Sequence, residues 1–198
     1  GGTSLGDADC FRKVAAILLA DPAPRQAVVV SAMAKTTDAL LQLVAAAEQS
    51  TGEVESRLAA IEQRYAATVG ALVQDAPAAG QVLEVFRAER RDIRDVLHAV
   101  SLVRQASGRA RDLVAGYGEL WSSRLLAAFL RERAAAARDP RPVSWVDARR
   151  LIVIERGEMG PVVQWDASRA NAAREFEAGP RTLAVVTGFI ASEPGGLQ

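Results

Sequence analysis

Three short stretches of this 198-residue chain have the composition of loops that let backbone N–H groups approach an anion. They are GGTSLGD at 1–7, SAMAKTTD at 31–38 and TGFIAS at 187–192. Glycine lets the chain come close to a ligand, hydroxyls donate hydrogen bonds, and a helix N-terminus offers unpaired N–H groups. A fourth candidate is an acid. Glu119 follows Gly116-Tyr117-Gly118 and precedes the small pair Ser122-Ser123, an arrangement that suits a ligand lying close to a helix. Taken singly, each stretch also has an ordinary structural meaning. Glycine and serine ahead of a helix form a turn and a cap, Thr37 or Asp38 caps a helix, and an acid near a helix start complements the dipole. The phosphate-loop pattern GxxxxGK[ST] is absent.

Few other residues offer chemistry. The single histidine, His98, sits on an apolar helical stripe and reads as a core or boundary residue. The single cysteine, Cys10, reads as a small buried hydrophobe. One of each leaves no ordinary zinc site. Trp121 and Trp145 read as packing. The chain carries 24 basic and 24 acidic side chains, so its zero net charge gives no electrostatic case for nucleic acid or an anionic membrane. No apolar run approaches the roughly 20 residues that span a bilayer. The start has no signal-peptide pattern and the one cysteine favours a reducing compartment, so a cytoplasmic location is expected.

The elements that must position these loops follow from hydrophobic spacing. Phe11, Val14, Ala15, Leu18 and Leu19 predict a helix over 7–20, ended by Asp21-Pro22-Ala23-Pro24. Residues 26–33 contain the β-branched run of a strand buried on both faces, and a helix follows from about Asp38. From 53 to 105 the spacing is helical throughout. Pro77 and Gly80 divide it into helices at about 53–75 and 79–106, and a third runs over 109–137. Strands return at 142–146, 151–154 and 183–187, with a helix at 166–178 between the last two. The pattern predicts one α/β domain with a helical insertion at about 53–107, and ligands bind such sheets beyond the carboxyl ends of the strands.

Taken in order, GGTSLGD, VVVSAMAKTTDALL, YGELWSSRLLAAFL, WVDAR and VVTGFIAS resemble the aspartokinase family, which has the amino acid kinase fold. The resemblance runs from residue 1 to about 192 and is least specific in the helical middle. YGELWSS with WVDARRLIVI is most similar to the forms fused to homoserine dehydrogenase. The resemblance implies a three-layer, mostly parallel sheet with crossover helices. It also implies that residues 1–198 form an incomplete kinase domain, with the first strand upstream and the rest of the nucleotide-binding half downstream. By the same resemblance the catalytic lysine and arginine lie outside the chain, so none is assigned, Lys35 is not the phosphate-binding lysine, and the chain alone is expected to turn over little.

The implied reaction is phosphoryl transfer from ATP, with Mg²⁺, to the side-chain carboxylate of L-aspartate. The product is 4-phospho-L-aspartate, on the route to lysine, threonine and methionine. Gly1, Gly2, Thr3 and Ser4 are implied to cradle the ATP phosphates, Ser31 and Thr37 to bind the aspartate carboxylates, Glu119 to pair with its amino group and Phe189 to line its pocket. A homo-oligomeric, allosteric parent protein is implied as well. Two alternatives stand beside this. One is another amino acid kinase, acting on N-acetylglutamate, glutamate, carbamate or a nucleoside monophosphate, although an acid facing the substrate suits an unmodified α-amino group. The other is a non-catalytic α/β module that binds a partner through its helical middle.

Overall fold

The computed structural model describes residues 2–177 and 182–194. A 3₁₀ turn at Gly2–Leu5 leads into α1 (Ala8–Ala20), capped by the Asp7 carboxylate accepting from the Cys10 N–H at 2.9 Å. Next come β1 (Arg25–Val30) and four helices in succession: α2 (Thr36–Gln49), α3 (Val54–Leu72), α4 (Ala76–Val103) and α5 (Gly108–Ala137). β2 (Val143–Val146) is followed by the antiparallel hairpin of β3 (Ile154–Gly157) and β4 (Gly160–Val163), then by α6 (Trp165–Phe176) and β5 (Thr182–Thr187).

The main sheet has the order β1-β5-β2, with both pairings parallel. β5 is its centre and its side chains alternate between two faces, as the two-residue strand period requires. Leu183 and Val185 enter the large core, which also holds Phe11, Leu40, Phe86, Ile93, Trp121 and Leu125. Ala184 and Val186 enter a smaller core with Val146, Ala148 and Leu151, onto which Phe176 packs. The result is three layers: helices, a parallel sheet, and a thinner cover from the 148–152 turn and α6. Helices α3 and α4 contribute Tyr65, Val69, Phe86 and Leu97 to the same large core as the sheet.

Several sequence expectations shift. The 26–33 strand ends at Val30 and is not buried on both faces; β1 is a sheet edge, and Val29 lies exposed. The expected strand at 151–154 is displaced. Ala148–Arg150 forms a 3₁₀ turn, Val153 makes only an isolated bridge to Ser192, and pairing proper begins at Ile154 in a hairpin that the sequence reading missed. Pro161 concealed it, although Pro161 sits on a two-stranded ribbon where each strand is an edge. Pro77 does not break a helix but occupies the first turn of α4, where its missing N–H costs nothing. His98 is exposed rather than a core or boundary group, and Cys10 is half-buried rather than buried. The predicted helix over 166–178 ends at Phe176, and its last expected residue lies outside the described residues.

Candidate functional site

Beyond the carboxyl end of β1 the chain turns through Ser31–Lys35 into α2, and this loop meets the middle of α5. The two form a cleft of about 250 Å³, bordered by Gly2, Ser31, Lys35, Thr37, Asp38 and Glu119 together with Ala32, Met33 and Ala34. The cleft exists because small residues let α5 come close. A Cβ on Gly118 would lie 2.8 Å from the Ala32 methyl, and one on Gly2 would lie 3.2 Å from the Ala32 carbonyl oxygen. The Ser122 hydroxyl, fully buried, donates to the Ser31 carbonyl at 2.7 Å and ties helix to loop.

Glu119 forms the floor and is only 5% exposed. Its Oε1 accepts a long bond, 3.4 Å, from the Ala32 N–H, while Oε2 is buried with no hydrogen-bond partner. Burial pushes its carboxyl above the ordinary glutamate value, opposed by the Ala32 N–H. An ionised carboxylate with an unsatisfied buried oxygen is costly, so the arrangement favours a cationic donor arriving from the cleft.

The segment of α5 that carries Glu119 is pinned from behind. The Tyr65 hydroxyl donates to the Trp121 carbonyl at 3.1 Å, and the Trp121 indole N–H donates to Glu89 at 2.9 Å. Glu89 is held in turn by Arg124 at 2.6 Å, although burial pushes its carboxyl up. Tyr65, Phe86 and Trp121 pack ring on ring, with centroids 4.5 Å apart for Tyr65–Phe86 and for Phe86–Trp121. Trp121 and Trp145 are packing residues that also donate hydrogen bonds, Trp145 to Ser123 at 2.8 Å. The Tyr65 and Glu89 pins have no local signature in sequence, because their partners lie 56 and 32 residues away.

Of the residues expected in the site, the fold brings Gly2, Ser31, Thr37 and Glu119 to one cleft. Thr3 and Ser4 are exposed and do not border it, and Gly1 lies outside the described residues. Phe189 is not brought to it. It is 81% exposed, with a left-handed backbone (φ 62°), and borders a separate cavity of about 320 Å³ between α5, the β3–β4 hairpin and the loop after β5. Arg109, Arg149, Arg156 and Glu193 border the same cavity. Lys35 borders the Glu119 cleft as well.

No three His, Cys, Asp or Glu side chains among the described residues are placed to hold a metal ion together. No helix among them is long and apolar enough to cross a membrane.

Comparison with known proteins adds three findings. The model of the amino acid kinase family matches residues 1–197. The chain is 30% identical, over 98% of its own length, to bifunctional aspartokinase/homoserine dehydrogenase 1 (chloroplastic) of Arabidopsis thaliana, and 29% identical over 99% to bifunctional aspartokinase/homoserine dehydrogenase 2 of Escherichia coli. Its fold superposes on Escherichia coli aspartokinase III in complex with aspartate and ADP with a TM-score of 0.82, at 28% identity and over 99% of this chain. The chain spans 21% of the Arabidopsis protein, 23% of the bifunctional Escherichia coli protein and 41% of aspartokinase III.

Proposed function

This chain belongs to the amino acid kinase family, and from that premise we propose that its Glu119 cleft receives L-aspartate as the phosphoryl acceptor of an aspartate kinase. One observation carries the reading: Glu119 Oε2 is buried, unpartnered and at the floor of a cleft. A primary ammonium group supplies the missing donor and the compensating charge together. N-acetylated, carbamate and nucleotide substrates have no such group to offer, which sets those alternatives behind aspartate; glutamate has one, and the similarity to aspartokinases favours aspartate over it. The partner-binding alternative does not account for a buried, unsatisfied acid. The complex of aspartokinase III with aspartate and ADP adds support from a similar fold.

The chemistry asks for little more than placement. The acceptor carboxylate has an ordinary pKa of about 4 and is ionised at neutral pH, so no general base is required. One of its oxygens bonds to the γ-phosphorus of ATP as the bond to the ADP oxygen breaks, giving 4-phospho-L-aspartate and ADP. The obstacle is bringing two anions together, which calls for fixed donors and cations around the reacting groups. Within this chain Glu119 holds the ammonium group, and the Ser31 and Thr37 hydroxyls take the carboxylates. Gly2 keeps the backbone low enough for a phosphate to approach. MgATP is the donor substrate. A product on the route to lysine, threonine and methionine follows from the same reading.

Isothermal titration of L-aspartate into the folded chain tests the proposal. Saturable 1:1 binding, strengthened by a non-hydrolysable MgATP analogue, is expected. A folded chain that does not bind aspartate with or without the analogue contradicts it.

A further inference from the structure

We infer that Lys35 is a specificity-determining residue of this cleft, its ammonium group reading the side-chain carboxylate of the amino acid ligand. The inference rests on the aspartate reading above and adds to it the group that separates an acid from its amide.

The first observation is backbone geometry. Among the described residues five non-glycine residues have positive φ. Ser50, Arg104 and Arg138 do so at the C-caps of α2, α4 and α5, where a left-handed residue closes a helix. Lys35 does so at the other end, as the residue before α2, with φ 63° and ψ 2°. Its side chain makes no capping bond there. Glycine would adopt this conformation without strain, and asparagine would add a local hydrogen bond. A lysine in this place serves the backbone worse than either.

The second observation is what it faces. Lys35 is exposed at the rim of the cleft and makes no side-chain hydrogen bond or ion pair among the described residues. At the floor lies Glu119, nine-tenths buried and with an unpartnered oxygen. Asp38 also borders the cleft, exposed in the first turn of α2 where the helix N-terminus stabilises an acid. A cation at the rim and an anion at the floor complement a zwitterion lying between them. The α-carboxylate sits on the carbon that bears the ammonium and the side-chain carboxylate of aspartate lies one bond farther out, so in a ligand anchored by its ammonium at Glu119 the side-chain carboxylate is the one that reaches farther toward the rim. For aspartate the group arriving at Lys35 is then the side-chain carboxylate. That is the end the phosphoryl donor must meet, where a nearby cation offsets the repulsion between the two anions.

The test compares L-aspartate with L-asparagine by titration into the wild-type chain, K35M, K35R and K35G. The wild-type chain is expected to prefer aspartate by about tenfold or more, the range for a hydrogen bond to a charged group. K35M should bring the two ligands within about twofold by weakening aspartate alone, and should flatten the salt dependence of aspartate binding. K35R should keep the preference. K35G, which relaxes the backbone and removes the amine, should behave as K35M. Equal weakening of both ligands in K35M and K35R would mean that Lys35 only shapes the loop, and an unchanged preference in K35M would remove it from recognition; either overturns the inference. A folded wild-type chain that binds neither amino acid overturns the aspartate reading itself, and this inference with it.

Discussion

Replacing Glu119 with glutamine changes one oxygen to an amide nitrogen, leaves the volume of the side chain nearly untouched, and removes the charge from the floor of the cleft. In the unliganded protein this should help. Desolvation raises the pKa of the buried carboxyl above the ordinary glutamate value. The folded state therefore holds its proton to higher pH than the unfolded chain does. Between those two values the native state binds more protons than the unfolded state, so stability falls as pH rises. The penalty is absent below about the ordinary glutamate value and complete above the raised one. Glu119→Gln carries no such penalty, and its advantage in unfolding midpoint over the wild-type chain should grow across that window and then level off.

Ligand binding should move the other way. An ammonium group at Glu119 favours the ionised form, so aspartate binding inside the window releases a proton from the carboxyl. Loss of that charge-assisted bond costs about 1.5–3 kcal/mol, or roughly ten- to a hundredfold in Kd. The assay is calorimetric titration of aspartate into both proteins over a pH series rising from the ordinary glutamate value, in pairs of buffers that differ in ionisation enthalpy. At pH values inside the window wild-type binding should show buffer-dependent heat from proton release, and binding to Glu119→Gln should not. Aspartate affinities within twofold of each other, with no difference in proton release, would refute the role of Glu119.

Glycines elsewhere in the helices give a contrasting pair. Gly118→Ala places a methyl 2.8 Å from the Ala32 methyl; the overpacking costs about 1–3 kcal/mol against up to about 1 kcal/mol gained in helix propensity. It should lower the unfolding midpoint and weaken aspartate binding, whereas Gly70→Ala, with nothing within 4 Å, should stabilise α3 by up to about 1 kcal/mol in a denaturant titration. Arg141 is buried and donates to the carbonyls of Leu18, Asp21 and Ala23 besides pairing with Asp139, fastening the approach to β1 onto the approach to β2. Arg141→Met should cost about 3 kcal/mol in denaturant unfolding and leave aspartate affinity intact, because it acts at the end of the sheet away from the cleft.

The α/β class, most helices and the parallel core were legible because hydrophobic period reports local geometry directly. Helix α5 is the clearest case: 109–137 was expected and Gly108–Ala137 observed. What the sequence withheld was mostly edge and distance information. The valine run of β1 reads the same whether its second edge is paired or open, so its exposure was missed. The β3–β4 hairpin hid behind a proline that a two-stranded ribbon tolerates. That Ser31, Thr37 and Glu119 share one cleft was foreshadowed by a family resemblance that preserves motif order. That Phe189 lies apart from them, and that Lys35 lies among them, depends on how a loop turns in three dimensions. The unpartnered oxygen of Glu119 has no signature in sequence at all.

The most direct test of the account compares L-aspartate with N-acetyl-L-aspartate in one titration series on the folded wild-type chain. The two ligands share both carboxylates and differ in the charge on nitrogen. If Glu119 waits for an ammonium group, aspartate binds and the N-acetyl derivative is at least about tenfold weaker. Equal affinity for the two would mean that the buried carboxylate does not face the ligand, and the cleft would then not be an amino acid site of the kind described.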